Sequence, residues 1–199
     1  VWLHIQDFEL DAAIKLHMLP GLHLPGHLLL SFESWLLQRF DRTSTISARM
    51  QERLWTKGVP AHQTRLLPNW VDCQVIFPQD APNPYRQQWG ISPDQILVLY
   101  AGSMGEKQGL ELVLEAAHRL LGDPTIHFVI CGEGSARSRL ETQAAGLTNV
   151  RFAPLQPAEA LNDLLNAADI HLLVQRSHAA DLVMPSKLSG MLASGKPVI

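Results

Sequence analysis

Cysteine is scarce in this sequence. There are two in 199 residues, Cys73 and Cys131, far apart and in no CxxC or metal-ligand spacing. That pattern excludes a disulfide scaffold, argues against a zinc site and fits a reducing cytoplasm. A basic excess is missing as well: Lys plus Arg total 16 against 19 Asp plus Glu, a formal charge of −3, with no Lys/Arg-rich block. A protein that coats nucleic acid is therefore not expected. No apolar run approaches the roughly 18 residues that span a bilayer, and no signal-peptide pattern opens the chain. The nine histidines form no HExxH pair, and no metal site is expected. There is no G-x-S-x-G elbow, and no Cys lies near a His in a recognisable catalytic pattern. What the chain has in quantity is apolar surface. It is 46% hydrophobic, 18% charged and 7% aromatic, which suits a globular core in one or two small domains.

The second half alternates strand and helix patterns. Ile96–Tyr100 is a continuous apolar run, as expected of a strand buried on both faces. A glycine-rich turn follows (Gly102, Gly105, Gly109), and then Leu110, Val113, Leu114, Ala117, Leu120 and Leu121 recur at helical spacing. Residues 127–131 read as a strand, Gly132-Glu133-Gly134 as a turn, and 136–145 as a helix. A short strand at 150–152, a helix opened by Pro157, a strand at 170–174, a helix over 186–193 and a strand start at 198–199 complete the series. Strict alternation implies a parallel sheet covered on both faces, with Rossmann-like crossovers.

The first half is less regular. Residues 1–5 read as a strand, and a helix carries Leu29, Phe32, Leu36 and Phe40 on one face. Residues 43–46 form a short strand, Ser47 caps a helix over 48–57 that Gly58 ends, and 64–67 is another strand. Pro78, Pro82, Pro84 and Pro93 mark a connection. The predicted organisation is a first Rossmann-like domain over 1–76, a linker over 77–92 and a second Rossmann-like domain over 93–199. The chain starts without Met inside a strand and stops as another begins, so it is expected to be a piece of a longer protein. The stretch with Leu28, Leu29, Leu30, Phe32, Trp35 and Phe40 could contact a membrane surface or a lipid-linked acceptor; since its polar face lacks the Lys/Arg of an interfacial helix, a core helix is the favoured reading.

In a parallel α/β sheet, ligands sit at the carboxyl ends of the strands. The turn over Gly102, Ser103, Met104 and Gly105, running on to Lys107, Gln108 and Gly109, has backbone amides just before a helix. It suits an anion or is simply a tight strand-to-helix turn. Gly132 and Gly134 carry the same two readings. Met184-Pro185-Ser186-Lys187 opens a helix. A Lys in the first turn opposes the helix dipole, a cost that an anionic ligand would reverse, although a solvated surface Lys reads equally well. His127 and His171 lie within strands as packed or edge residues. His4, beside Gln6 and Asp7 at a strand end, could face a cleft.

Taken together and in order, these segments resemble family 4 glycosyltransferases of the GT-B fold. Leu67-Pro68-Asn69-Trp70-Val71-Asp72 is similar to their PNGVD signature, and Tyr100-Ala101-Gly102 with Gln108-Gly109-Leu110 to their first C-domain strand and phosphate loop. Cys131-Gly132-Glu133-Gly134 is similar to their GxG turn, Ala168-Asp169 to their AD segment, and residues 193–199 to ASGxPVI. His4–Asp7, Ser44–Ser47 and Pro185–Leu188 look most like the colanic-acid type of exopolysaccharide glycosyltransferase. The resemblance covers essentially the whole chain. It also shows departures. Ser103 and Gln108 stand where the family has an Arg and a Lys, with Lys107 one place off. Leu182 and Gly190 stand where the family has the E-x7-E glutamates, with Asp181 beside the first.

The resemblance implies a retaining, metal-independent, cofactor-free transfer from a nucleotide diphosphate sugar, with GDP-fucose as the guess, to a lipid-linked glycan acceptor. It implies a cytoplasmic place, peripheral on the inner face of the membrane. Donor contacts are expected from Gly102, Ser103, Met104, Gly105, Lys107, Gln108, Gly132, Gly134, Leu155, Asp181, Met184, Pro185, Ser186 and Lys187. Gln6 and Asp7 are expected on the sugar and acceptor side, and Lys187 against the leaving diphosphate. The competing readings are a GT-B sugar-nucleotide epimerase and a non-catalytic sugar-nucleotide-binding module.

Overall fold

The computed structural model describes residues 1–8, 11, 26–80, 82–174 and 185–199, with the side chain of Lys107 outside that set. The described residues form two compact units, one ending at Asn69 and the other beginning at Trp70.

The first unit is built on three parallel strands in the order β1 (Trp2–Ile5), β2 (Arg42–Thr45), β3 (Thr64–Leu66). Helix α1 spans Gly26–Leu37 and helix α2 spans Ala48–Thr56. As the sequence predicts, Ser47 caps α2, its hydroxyl accepting from Met50 N at 3.2 Å. Phe8, Leu37, Ile46, Met50, Leu54 and Val59 form the core. Helix α1 differs from its sequence reading. Phe32 and Leu36, placed on the packed face by spacing, are exposed, as are Leu28 and Trp35, and Leu37 is the buried residue. Leucines surround this helix on most sides, so periodicity gives no unique face, and the tertiary contact selects one.

The second unit has four parallel strands in the order β6 (Val150–Ala153), β5 (Ile126–Cys131), β4 (Ile96–Ala101), β7 (Ile170–His171). Val198 adds a parallel bridge to His171. Helices α3 (Pro84–Trp89), α4 (Glu111–Arg119), α5 (Arg137–Gln143), α6 (Leu161–Ala167) and α7 (Lys187–Ala193) accompany the sheet. Two clusters cover the sheet on its two faces, Leu97, Leu99, Val129 and Cys131 in one and Val98, Tyr100, Phe128 and Ile130 in the other. This alternation along central strands is what a sheet buried on both sides requires.

Residues 77–92 are not a bare connection. They hold α3, whose Asn83 side chain accepts from Tyr85 N at 2.9 Å and whose first residue is Pro84. Tyr85 and Trp89 are buried in the second unit's core. Asn166 fastens the segment before α3, accepting from Gln79 N at 2.8 Å and donating to Phe77 O at 2.9 Å. The proline density that suggests a linker is, at Pro84, a helix start.

Candidate functional site

The carboxyl ends of β4 and β5 carry two nested turns. Gly102 N donates to Cys131 O at 2.9 Å, Met104 N to Glu133 O at 2.7 Å, and Ala136 N to Met104 O at 2.9 Å. The nesting depends on glycine. A Cβ at Gly132 would lie 1.9 Å from Gly102 O, and one at Gly134 would lie 2.4 Å from Met104 O, both at positive φ. Gly132 and Gly134, expected as donor contacts, thus have a packing role in the structure: they let two backbones approach within hydrogen-bonding range.

The amides of the phosphate-loop candidate are largely engaged within the fold. Besides Gly102 and Met104, Gly105 N donates to the Gln108 side-chain oxygen at 3.1 Å. The Gln108 amide nitrogen in turn reaches Ser103 Oγ at 3.3 Å. Ser103 and Gln108, which replace the family's basic pair, therefore form a neutral pair that closes the turn. Of the four amides from Gly102 to Gly105, that of Ser103 has no acceptor among the described residues.

Lys187 comes to the same place from the other side of the sheet order. It opens α7, and its ammonium lies 3.0 Å from where a Gly102 Cβ would stand and 4.0 Å from the centre of the Tyr100 ring. No carboxylate pairs with it among the described residues. Burial pushes its pKa down to about 8. An ammonium held without a counter-ion beside a glycine turn can accept the negative charge of a phosphate.

The other expected residues fall as follows. Pro185 is half-buried and Ser186 exposed next to Lys187, and Ser186 makes no side-chain cap. Leu155 is 69% exposed, two residues beyond β6. Asp181 and Met184 lie outside the described residues, as does the Lys107 side chain. In the first unit, Gln6 and Asp7 are exposed beyond β1. Gln6 Nε2 lies 3.1 Å from His4 Nε2, and His4 Nδ1 lies 2.8 Å from Ser44 Oγ, which also accepts from Trp2 Nε1 at 2.9 Å. His4 is thus fixed through both ring nitrogens. The described residues hold no group of three or more His, Cys, Asp or Glu arranged to bind a metal. Among them, no helix is long and apolar enough to cross a membrane.

Several motif residues are architectural. Asp169 accepts from Arg86 at 2.8 Å and from Leu97 N at 2.7 Å, tying α3 to the start of β4. Ser194, fully buried, contacts His171 Nε2 at 3.2 Å. Burial, followed by the charge of Lys196, pushes the His171 imidazole down to about 4, so it is neutral. Tyr100 is the residue that sequence reasoning passed over. Its signal was a phenol within an otherwise aliphatic strand.

Two parallel-sheet units of this topology, with glycine turns and a lysine at the carboxyl edge of the second, define a GT-B-type fold. The chain belongs to the glycosyl transferases group 1 family, whose model matches residues 83–199. Over 206 aligned residues it is 43% identical to the putative colanic acid biosynthesis glycosyl transferase WcaI of Escherichia coli K12, covering 97% of this chain and 49% of that protein. It is 29% identical to the D-inositol 3-phosphate glycosyltransferase of Geodermatophilus obscurus over 63% of this chain and 31% of that one. Among solved structures, Anabaena Alr3699/HepE in complex with UDP and glucose superposes with a TM-score of 0.77 at 19% identity, covering 99% of this chain and 51% of that one. The sucrose-phosphate synthase of Thermosynechococcus elongatus superposes with a TM-score of 0.75 at 19% identity, covering 99% and 49%. The chain spans about half the length of WcaI and of these solved structures.

Proposed function

We propose that the whole protein is a retaining glycosyltransferase of exopolysaccharide synthesis. It moves a sugar from a nucleotide diphosphate sugar, with GDP-fucose as first candidate, to a lipid-linked glycan at the inner face of the cytoplasmic membrane. The observation that carries this reading is the Lys187 ammonium, unpaired among the described residues and beside the Gly102 turn. When the bond between the anomeric carbon and the terminal phosphate oxygen breaks, negative charge grows on the diphosphate. A fixed cation and the Ser103 N–H stabilise that charge more in the transition state than in the bound donor. Leu155 and the neighbouring backbone meet the base, and Pro185 and Ser186 flank the phosphates. Gln6 and Asp7 serve the sugar and acceptor. The likeness in fold to HepE, whose structure is a complex with UDP and glucose, supports the donor class, and the likeness to WcaI supports the exopolysaccharide setting.

The test is calorimetric titration of GDP and UDP into the full-length protein and its Lys187→Ala variant. Loss of one charge-assisted contact to phosphate is expected to weaken binding by about tenfold or more. Unchanged affinity would remove Lys187 from the site. Transfer is expected to need no divalent cation, so activity assayed in EDTA should equal activity with added magnesium. Loss of activity on chelation that magnesium restores would overturn the metal-independent part of the reading.

A further inference from the structure

Tyr100 is the penultimate residue of β4, just before the glycine turn, and is fully buried. A side chain wanted only as filling there could be aliphatic, as its strand neighbours Leu97, Val98 and Leu99 are. Both polar features of this ring are used instead. The hydroxyl donates to Ser103 O at 2.7 Å, and the ring face lies 4.0 Å from Lys187 Nζ. One contact leads to the Lys187 ammonium; the other holds the carbonyl of Ser103, the residue whose own N–H has no acceptor among the described residues.

The choice of an aromatic partner has a chemical consequence. A carboxylate would hold a lysine equally well but would neutralise it. A ring quadrupole attracts the cation and leaves its full charge available to an anion. Burial raises the Tyr100 phenol to about 12, so the phenol stays protonated and remains a donor to Ser103 O.

We propose that Tyr100 is the positioning residue of the donor-phosphate site: its ring holds the Lys187 ammonium over the Gly102 turn while its hydroxyl fixes Ser103, presenting cation and turn together to a diphosphate. This rests on the donor reading of Lys187 given above.

The experiment is a double-mutant cycle in the full-length protein. It uses Tyr100→Leu, Lys187→Ala, the pair, and Tyr100→Phe, each titrated with GDP and UDP and with guanosine and uridine. Tyr100→Leu is expected to weaken binding of the preferred nucleoside diphosphate by about tenfold, leave nucleoside affinity unchanged, and add no more than the roughly threefold cost of the Ser103 tie once Lys187 is Ala. Tyr100→Phe keeps the ring and should stay within about threefold of the native protein, the cost of the Ser103 tie. If Tyr100→Leu does not fold, Tyr100→Met replaces it in the cycle. Equal losses for nucleoside and nucleotide would show a merely structural residue and overturn the proposal. Additive losses in the pair would do the same, because Tyr100 would then not act through Lys187. If Lys187→Ala alone changes nothing, or neither nucleotide binds, the donor reading fails and takes this proposal with it.

Discussion

At the scale of single residues, the site depends on two opposed demands. The turns call for glycine, which has no side chain, and the anion reading calls for a lysine that no carboxylate among the described residues neutralises. Gly132 shows the first. Its φ of +147° and the 1.9 Å approach to Gly102 O leave no room for a methyl group. Left-handed strain alone costs about 1–3 kcal/mol, and the steric overlap adds to it. Gly132→Ala is therefore expected to lower stability by about 3 kcal/mol or more, read as a lower urea midpoint of the full-length protein. A change below about 1 kcal/mol would mean the two turns separate freely. Lys187 shows the second demand. With its pKa depressed to about 8 by burial, the free protein loses the ammonium as pH rises through that value. Nucleoside diphosphate affinity should be level below about pH 7 and fall above 8, while Lys187→Ala should be flat over the same range. An identical fall in the variant would assign the titration to another group.

At the scale of elements, hydrogen-bonded side chains set how the helices meet the sheet. His171 sits in β7 against Ser194 at the end of α7, while its own backbone pairs with Pro197 and Ile199. Its folded pKa of about 4 lies below the ordinary imidazole value of 6.5 because burial, followed by Lys196, disfavours the charge. Between those values the unfolded chain binds the proton and the folded chain does not. Stability is thus fully present above about 6.5 and is lost as pH falls toward 4. The shift corresponds to up to about 3 kcal/mol at the lower limit. Urea midpoints measured at pH 7.5 and 5 should differ in the native protein and converge in His171→Gln. The Arg86–Asp169 pair is a comparable fastening between α3 and β4. By contrast, exposed Arg119–Glu115 on α4 is of the kind worth under about 0.5 kcal/mol. The elements themselves were legible from the chain. The strand positions and the Ser47 cap follow from period and capping chemistry. Helix α3 was hidden because Pro78, Pro82 and Pro84 signal a connection, although Asn83-Pro84 is also a helix start. The packed face of α1 was hidden because Leu28, Leu29, Leu30, Leu36 and Leu37 encircle the axis.

At the scale of the whole molecule, the chain is two parallel-sheet units of the glycosyl transferases group 1 family. The sequence by itself determined that much. Alternating apolar runs and amphipathic segments dictate β-α-β order, and the ordered motifs from Pro68-Asn69 to Pro197-Val198-Ile199 mark the family. It also placed Lys187 and the Gly102 turn as candidates, because a cation at a helix start and glycines after a strand are each costly without a reason. Only the tertiary structure decided which of the turn's groups remain open. The amides at 102, 103 and 104 look alike in sequence, yet those at 102 and 104 find acceptors at and just after the end of β5, whose position only folding fixes, and that at 103 does not. The same holds for the motif residues Asp169 and Ser194, which fasten the fold, and for Tyr100, which reads as one more core residue until Lys187, 87 positions later in the chain, is laid across its ring. Local pattern encodes which segments form and which face inward. Contacts between distant segments decide which polar groups are already satisfied, and so where a ligand can bind.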